Sequence, residues 1–141
     1  MIHRIEVGYR PGIADPRGLA VLETIRSFLS IPVRDVRAFD VYTVDAGLSA
    51  EEANRARDHV TDPVTQQGAL DRLQPPPFDF VVSVGFRPGV TDAVGKSALA
   101  LLQDMLGRPM QGAAVYTSRL YFLAGVDRPQ AERIAGRVLA N

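Results

Sequence analysis

The sequence predicts a two-layer α+β protein made of two tandem β-α-β-α units, with helices packed on a sheet. Three observations carry that expectation: a stretch that occurs twice, an alternating strand that opens each copy, and an apolar helical stripe behind each strand. Val7-Gly8-Tyr9-Arg10-Pro11-Gly12-Ile13-Ala14-Asp15-Pro16-Arg17-Gly18 recurs as Val84-Gly85-Phe86-Arg87-Pro88-Gly89-Val90-Thr91-Asp92-Ala93-Val94-Gly95, identical at seven of twelve positions. At the same spacing Leu22, Ile25, Phe28 and Leu29 fall on Leu99, Leu102, Met105 and Leu106, and Pro32 falls on Pro109. Self-similarity at such a period marks a duplicated supersecondary unit. Pro75-Pro76-Pro77 stands between the copies, a stiff extended segment that donates no backbone hydrogen bond. The expected division is residues 1–74, a proline linker at 75–77, and residues 78–141, the second copy being incomplete at its end.

The elements follow in order. Ile5, Val7 and Tyr9 alternate with Arg4, Glu6 and Gly8, the period of a half-buried strand, and Phe80, Val82, Val84 and Phe86 repeat it. Arg-Pro-Gly ends each strand in a turn, proline setting one dihedral and glycine accepting a positive one. Asp15 is suited to cap the following helix with Pro16 at its first position, and Asp92 repeats the cap. Val21, Leu22, Ile25, Phe28 and Leu29 form an apolar stripe, as do Ala98, Leu99, Leu102, Met105 and Leu106. Second strands are expected over residues 36–45 and 115–123, rich in β-branched and aromatic residues. A second helix follows each, from the capping box Ser49/Glu52 and from Asp127 with Pro129 in its first turn. A third strand is expected near residues 67–73. Which strands run antiparallel is not readable from the pattern.

The bulk properties exclude several functions. Of 141 residues, sixteen are basic and sixteen acidic, and the basic ones are spread through the chain, so a phosphate polymer finds no electrostatic footprint. No run of apolar residues approaches a membrane span, and the N-terminus has no targeting pattern, which reads as cytoplasmic. With no cysteine there is no thiolate metal site and no thiol nucleophile, and the two histidines, His3 and His59, are remote in sequence. No cofactor is expected.

Gly18 and Gly95 raise a physical question, because glycine in a first helical turn costs about 1 kcal/mol relative to alanine. One answer is close approach of another backbone. The other is an anion site at the helix N-terminus, with Arg10 or Arg87 as counter-charge near Gly12 or Gly89, although Asp15 and Asp92 would already occupy those amides. Arg37 and Arg119 are candidates to pair acids on a partner, or else solvated strand residues. Tyr42, Tyr116 and Tyr121 are strand tyrosines that either pack or form a stacking platform. Glu51-Glu52 read as first-turn acids favoured by the helix dipole, and His59 as a solvated residue near a helix end.

At Pro11-Gly12-Ile13-Ala14-Asp15-Pro16-Arg17-Gly18-Leu19-Ala20-Val21 the chain resembles the opening strand-turn-helix motif of the PurS family, roughly Gly-Val-x-Asp-Pro-x-Gly-x-x-Val. Val36-Arg37 resembles the Val-Arg that opens that family's next strand, and Thr61-Asp62-Pro63-Val64 its Thr-Asn-Pro-Val after the second helix. Copy one is covered almost throughout. Phe39-Asp40 stand where the family commonly has Gly-Lys, and Ala93-Val94 replace Pro16-Arg17 in copy two, so a function needing that lysine is not implied. Two such units in one chain are similar to the N-terminal region of the large single-chain synthetases, where a fused pair stands in for a dimer.

The resemblance implies a mainly antiparallel sheet and two units paired about a pseudo-two-fold. It also implies a non-catalytic scaffold of phosphoribosylformylglycinamidine (FGAM) synthase in purine biosynthesis. Its partners would be the ATP-dependent synthetase and the glutaminase, in cis or trans, with self-association of the chain as a further expectation. Because copy two ends near the counterpart of Thr61-Asp62-Pro63, the chain reads as a domain of a longer protein or a short subunit without its last strand. The competing function is a ligand-sensing regulatory module of ferredoxin-like type, binding a metabolite between the units. Neither a glutaminase cysteine nor a Walker-type loop is present in the sequence, and no triad can be assembled around its histidines.

Overall fold

The computed structural model describes residues 1–86 and 91–140. Five strands, β1 (Ile2–Tyr9), β2 (Asp35–Asp45), β3 (Gln66–Leu70), β4 (Phe80–Gly85) and β5 (Ala114–Ala124), form one sheet in the order β3-β1-β2-β5-β4. The helices are α1 (Pro16–Thr24), α2 (Ala50–His59), α3 (Ala93–Leu106) and α4 (Arg128–Ile134). The fold is therefore α+β with an antiparallel sheet. β3, the third strand of copy one, lies antiparallel on β1 with Ile5 opposite Leu70 and Tyr9 opposite Gln66.

Local chemistry explains the element boundaries. Asp15, Asp92 and Asp127 cap α1, α3 and α4, each accepting from the backbone amide three residues on, and Pro16 opens α1. Ser49 and Glu52 make the reciprocal capping box of α2. Gly107 ends α3 in the left-handed conformation, at φ +68°.

The stripe expected on the first helix needs one correction. α1 continues as a wider π-type turn over Ile25–Leu29, which Ser30 closes in a left-handed conformation. Widening the turn leaves Ile25 and Leu29, four apart, on the core face but rotates Phe28 away from it. Phe28 is 62% exposed, whereas Leu22, Ile25 and Leu29 are buried. α4 ends in the same kind of turn, over Ala135–Leu139, with Leu139 buried.

A second correction concerns the polar face of β1. Glu6, expected on the solvated side of a half-buried strand, is only 3% exposed. Its Oε2 accepts from Arg4 Nε and Nη2 at 3.0 and 2.7 Å, and its Oε1 accepts from the Leu73 amide at 2.9 Å. The segment leading into the prolines therefore lies against that face, and a buried charge is tolerated because both oxygens are met.

Compactness divides the chain differently from the repeat. One unit comprises Met1–Arg10, Asp40–Leu73 and Gly85–Ser118; the other comprises Pro11–Phe39, Gln74–Val84 and Arg119–Asn141. The core of the first joins Ile5, Val7, Val44 and Ala56 to Leu102 and Val115. Arg55 and Arg108 reinforce it, donating to the Met105 carbonyl and to the Glu52 carboxylate. The core of the second joins Leu22, Ile25 and Val36 to Tyr121, Leu123 and Ile134. On the strand face away from that core, Phe39 and Phe78 each meet the Phe122 ring edge-on, with centroids 4.7 and 5.2 Å apart. Each unit thus packs the first helix of one copy with the second helix of the other.

Candidate functional site

The repeated motif builds the same clasp in each unit. In one, Asp15 Oδ1 accepts from the Gly18 amide at 3.1 Å while Oδ2 accepts from the Ala38 amide of β2 at 2.7 Å. One carboxylate therefore caps α1 and pins it to the neighbouring strand. Gly18 is buried, and a Cβ there would fall on the Val36 carbonyl oxygen. In the other unit, Asp92 Oδ1 accepts from the Gly95 amide at 2.7 Å and Oδ2 from the Thr117 amide of β5 at 2.6 Å, with the Thr117 hydroxyl donating as well. A Cβ on Gly95 would fall on the Val115 carbonyl oxygen. The glycines answer the question raised by the sequence: the helix start approaches a strand too closely for any side chain.

The cap was legible in the sequence, but the bridge to the strand was not. A glycine three residues after a capping aspartate was the available signal, because a backbone close enough to exclude Cβ brings its own amide within reach of the cap.

The remaining candidates divide between the units. Arg37 Nη1 donates to the Ile13 carbonyl at 2.9 Å, bracing the turn that leads into Asp15. Gly12, in that turn, has φ +84°, which only glycine adopts without strain. Arg10 Nη2 donates to the Pro63 carbonyl at 3.0 Å and its amide donates to the Thr65 carbonyl at 2.9 Å. It therefore docks the Asp62-Pro63-Val64-Thr65 turn that precedes β3. Within that turn Asp62 accepts from the Val64 amide and then from the Thr65 hydroxyl, which hold its carboxyl below the usual carboxylate value. Arg119 is exposed on β5, and Arg87 and Gly89 lie outside the described residues. Of the three strand tyrosines, Tyr121 is buried in a core and Tyr116 is 57% exposed, so the trio makes no common stacking surface.

No three His, Cys, Asp or Glu side chains gather into a metal-binding group among the described residues. A shallow cavity of about 340 Å³, lined by Met1, Asp45, Gly47, Arg108, Met110 and Gln111 among others, contains none of the residues singled out from the sequence. No helix among the described residues is long and apolar enough to cross a membrane.

The Asp15 clasp and the Arg10-docked turn fall within the part of the chain that matches a known family, and β3 begins just past it. Residues 2–65 match the family PurS, phosphoribosylformylglycinamidine (FGAM) synthase. This region is PurS-like. The match links it to FGAM synthase and so to purine biosynthesis. Among solved structures, PurS of Thermus thermophilus in its P21 form is 26% identical, aligned over 54% of this chain and 96% of that one with a TM-score of 0.43. No curated protein matches the sequence.

Proposed function

We propose that this chain is a non-catalytic assembly part of FGAM synthase, joining the ATP-dependent synthetase to the glutaminase where ammonia passes between them. The observation that carries the reading is the PurS match over residues 2–65. The chemistry of the chain agrees with it. A sequence without cysteine cannot supply the thiol nucleophile of such a glutaminase. The motif residues Asp15 and Asp92 spend their carboxylates on helix caps and strand amides, which is the work of structural groups. The reading places the chain in the cytoplasm, in contact with both catalytic parts in cis or in trans, and places Arg10, Arg37, Arg87 and Arg119 among the residues to scan at those contacts.

The same proposal takes residues 1–74 and 78–141 as two copies paired about a pseudo-two-fold. What supports this is that each compact unit draws helices from both copies and holds one clasp. Neither half then owns a complete core, so residues 1–74 expressed alone should dimerise or fold poorly. A stable, cooperatively melting monomer from that fragment would count against the pairing.

For the scaffold, the chain alone, given ATP, glutamine and the ribonucleotide, should release neither ADP nor glutamate. Added to separate synthetase and glutaminase, it should co-elute with both and raise glutamine-driven turnover. Activity of the chain alone that survives repurification, or failure to bind either part, sinks the reading.

A further inference from the structure

The two copies differ where the first helix returns to the sheet. Gly18 abuts the Val36 carbonyl eighteen positions on, and Gly95 abuts the Val115 carbonyl twenty positions on. Pro32 and Pro109 keep the same spacing from those glycines, so the two extra residues of copy two lie between Pro109 and Val115, where Gln111-Gly112 stand. In copy one the shorter return closes tightly: the Arg34 amide donates to the carbonyl of Ala124, the last residue of β5, at 2.8 Å. Gly125 beside it has no room for a side chain, since a Cβ would fall 2.8 Å from the Arg34 Cβ. In copy two Ala113 stands in the place of Arg34 and turns away, its amide donating to the Met110 carbonyl at 3.2 Å, with Gly112 at φ +72°. The end of β2 and the residues after it, Asp45-Ala46-Gly47, are thereby left open, and the cavity of about 340 Å³ occupies that space.

We propose that this cavity binds a small zwitterion carrying an ammonium and a carboxylate, the chemistry of a free α-amino acid with a polar side chain. The two charged side chains that line it, Asp45 and Arg108, are of opposite sign. Asp45 is half-exposed and makes no side-chain hydrogen bond among the described residues. Its one ion pair, 3.9 Å from the exposed amino group of Met1, is long and solvated, so a ligand ammonium can take the carboxylate. Arg108 is braced, with Nη2 donating to the Gly47 carbonyl and to Glu52 Oε1, each at 3.1 Å. Its Nη1 and Nε have no partner among the described residues and remain for a carboxylate. A guanidinium held in this way loses little further freedom on binding. Gln111 offers its amide to a polar side chain. The volume suits a small metabolite, since ligand pockets begin at about 300 Å³. In the other unit Ala124 stands for Asp45 and Ile31 for Arg108, so the charge pair is missing where the return closes tightly. The site lies within one compact unit and adds to the scaffold reading without depending on it.

The test is titration of the full chain followed by amide NMR, with L-serine and L-glutamine as probes. At least one should give saturable shifts at Gly47, Gln111, Gly112 and Ala113. Ethanolamine, which lacks serine's carboxylate, and 3-hydroxypropanoate, which lacks its ammonium, should each bind about tenfold more weakly or worse, because each forfeits one charge-assisted bond. Asp45→Asn keeps the side chain's shape and should weaken amino-acid binding about tenfold. Deleting Gln111 and Gly112, which restores the copy-one length, should abolish binding, and Asp45→Asn decides the matter if the deletion does not fold. The proposal is overturned if neither amino acid gives saturable shifts at those amides or if Asp45→Asn binds as the wild type does. Binding of ethanolamine or 3-hydroxypropanoate as tight as that of the amino acids overturns it equally.

Discussion

The two clasps do the same work in different surroundings. Asp15 is 2% exposed and follows the buried approach of Gly18 to Val36, with Pro16 at the helix start. Asp92 is half-buried, has Ala93 where Pro16 stands, and gains a third donor in the Thr117 hydroxyl. A buried carboxylate depends wholly on its protein donors, because water cannot replace one that is lost. The half-buried one has water at hand and a spare hydroxyl. The repeat therefore preserves the geometry of the clasp but not what depends on it, and copy one should be the more sensitive of the two.

The largest effect expected is at the glycines. Gly18→Val and Gly95→Val force a side chain onto a strand carbonyl and should each destabilise by roughly 2–4 kcal/mol. Even Gly18→Ala and Gly95→Ala should lower the melting temperature. If these were open helix starts, alanine would instead stabilise by up to about 1 kcal/mol, so the sign of the shift in a thermal melt decides.

An intermediate effect is expected at the carboxylates. Asp15→Ala removes a cap and strands the Ala38 amide, for a loss of about 2–3 kcal/mol; Asp92→Ala should lose about 1–2 kcal/mol. Chemical denaturation of the two variants measures the difference. Equal losses, or a larger one at Asp92, would break the comparison drawn from burial.

The smallest effect concerns the turn before β3. The Asp62 carboxyl is lowered by the Val64 amide and the Thr65 hydroxyl. A group depressed in the folded state stabilises it above its unfolded value, near pH 4, and that contribution fades as pH falls through the folded value. Amide exchange at Val64 should therefore quicken below about pH 4 after correction for intrinsic rates, and Asp62→Asn should remove the pH dependence. Because Asp62 is exposed, global stability should change little.

Much of this was written in the linear pattern. The duplicated stretch, the aspartate caps, the Ser49/Glu52 box and the boundaries of β2 and β5 are local, and each depends on residues within a few positions of one another. The suspected third strand also formed, although its own sequence, Gln66-Gln67-Gly68-Ala69-Leu70, has little strand propensity; pairing with β1 supplied what propensity lacked. The pattern failed where it does not register the cause, a widened helical turn in one case and a segment distant in sequence in the other. Phe28 followed the apolar stripe yet faces water, because the helix widens at Ile25–Leu29. Glu6 followed the polar face yet is buried, because Leu73 returns to meet it. Periodicity registers which face of an element is apolar, but not which remote segment will cover the other face.

By itself, then, the sequence determined the element order, the caps and the doubled Asp-x-x-Gly motif, all set by short-range sterics and hydrogen bonding. Only the tertiary structure decided that each core takes helices from both copies, that the capping aspartates also hold a strand, and that β3 pairs with the outer edge of β1. Those outcomes depend on contacts between residues tens of positions apart, whose free energy comes from burying two apolar faces together and is invisible in either face alone.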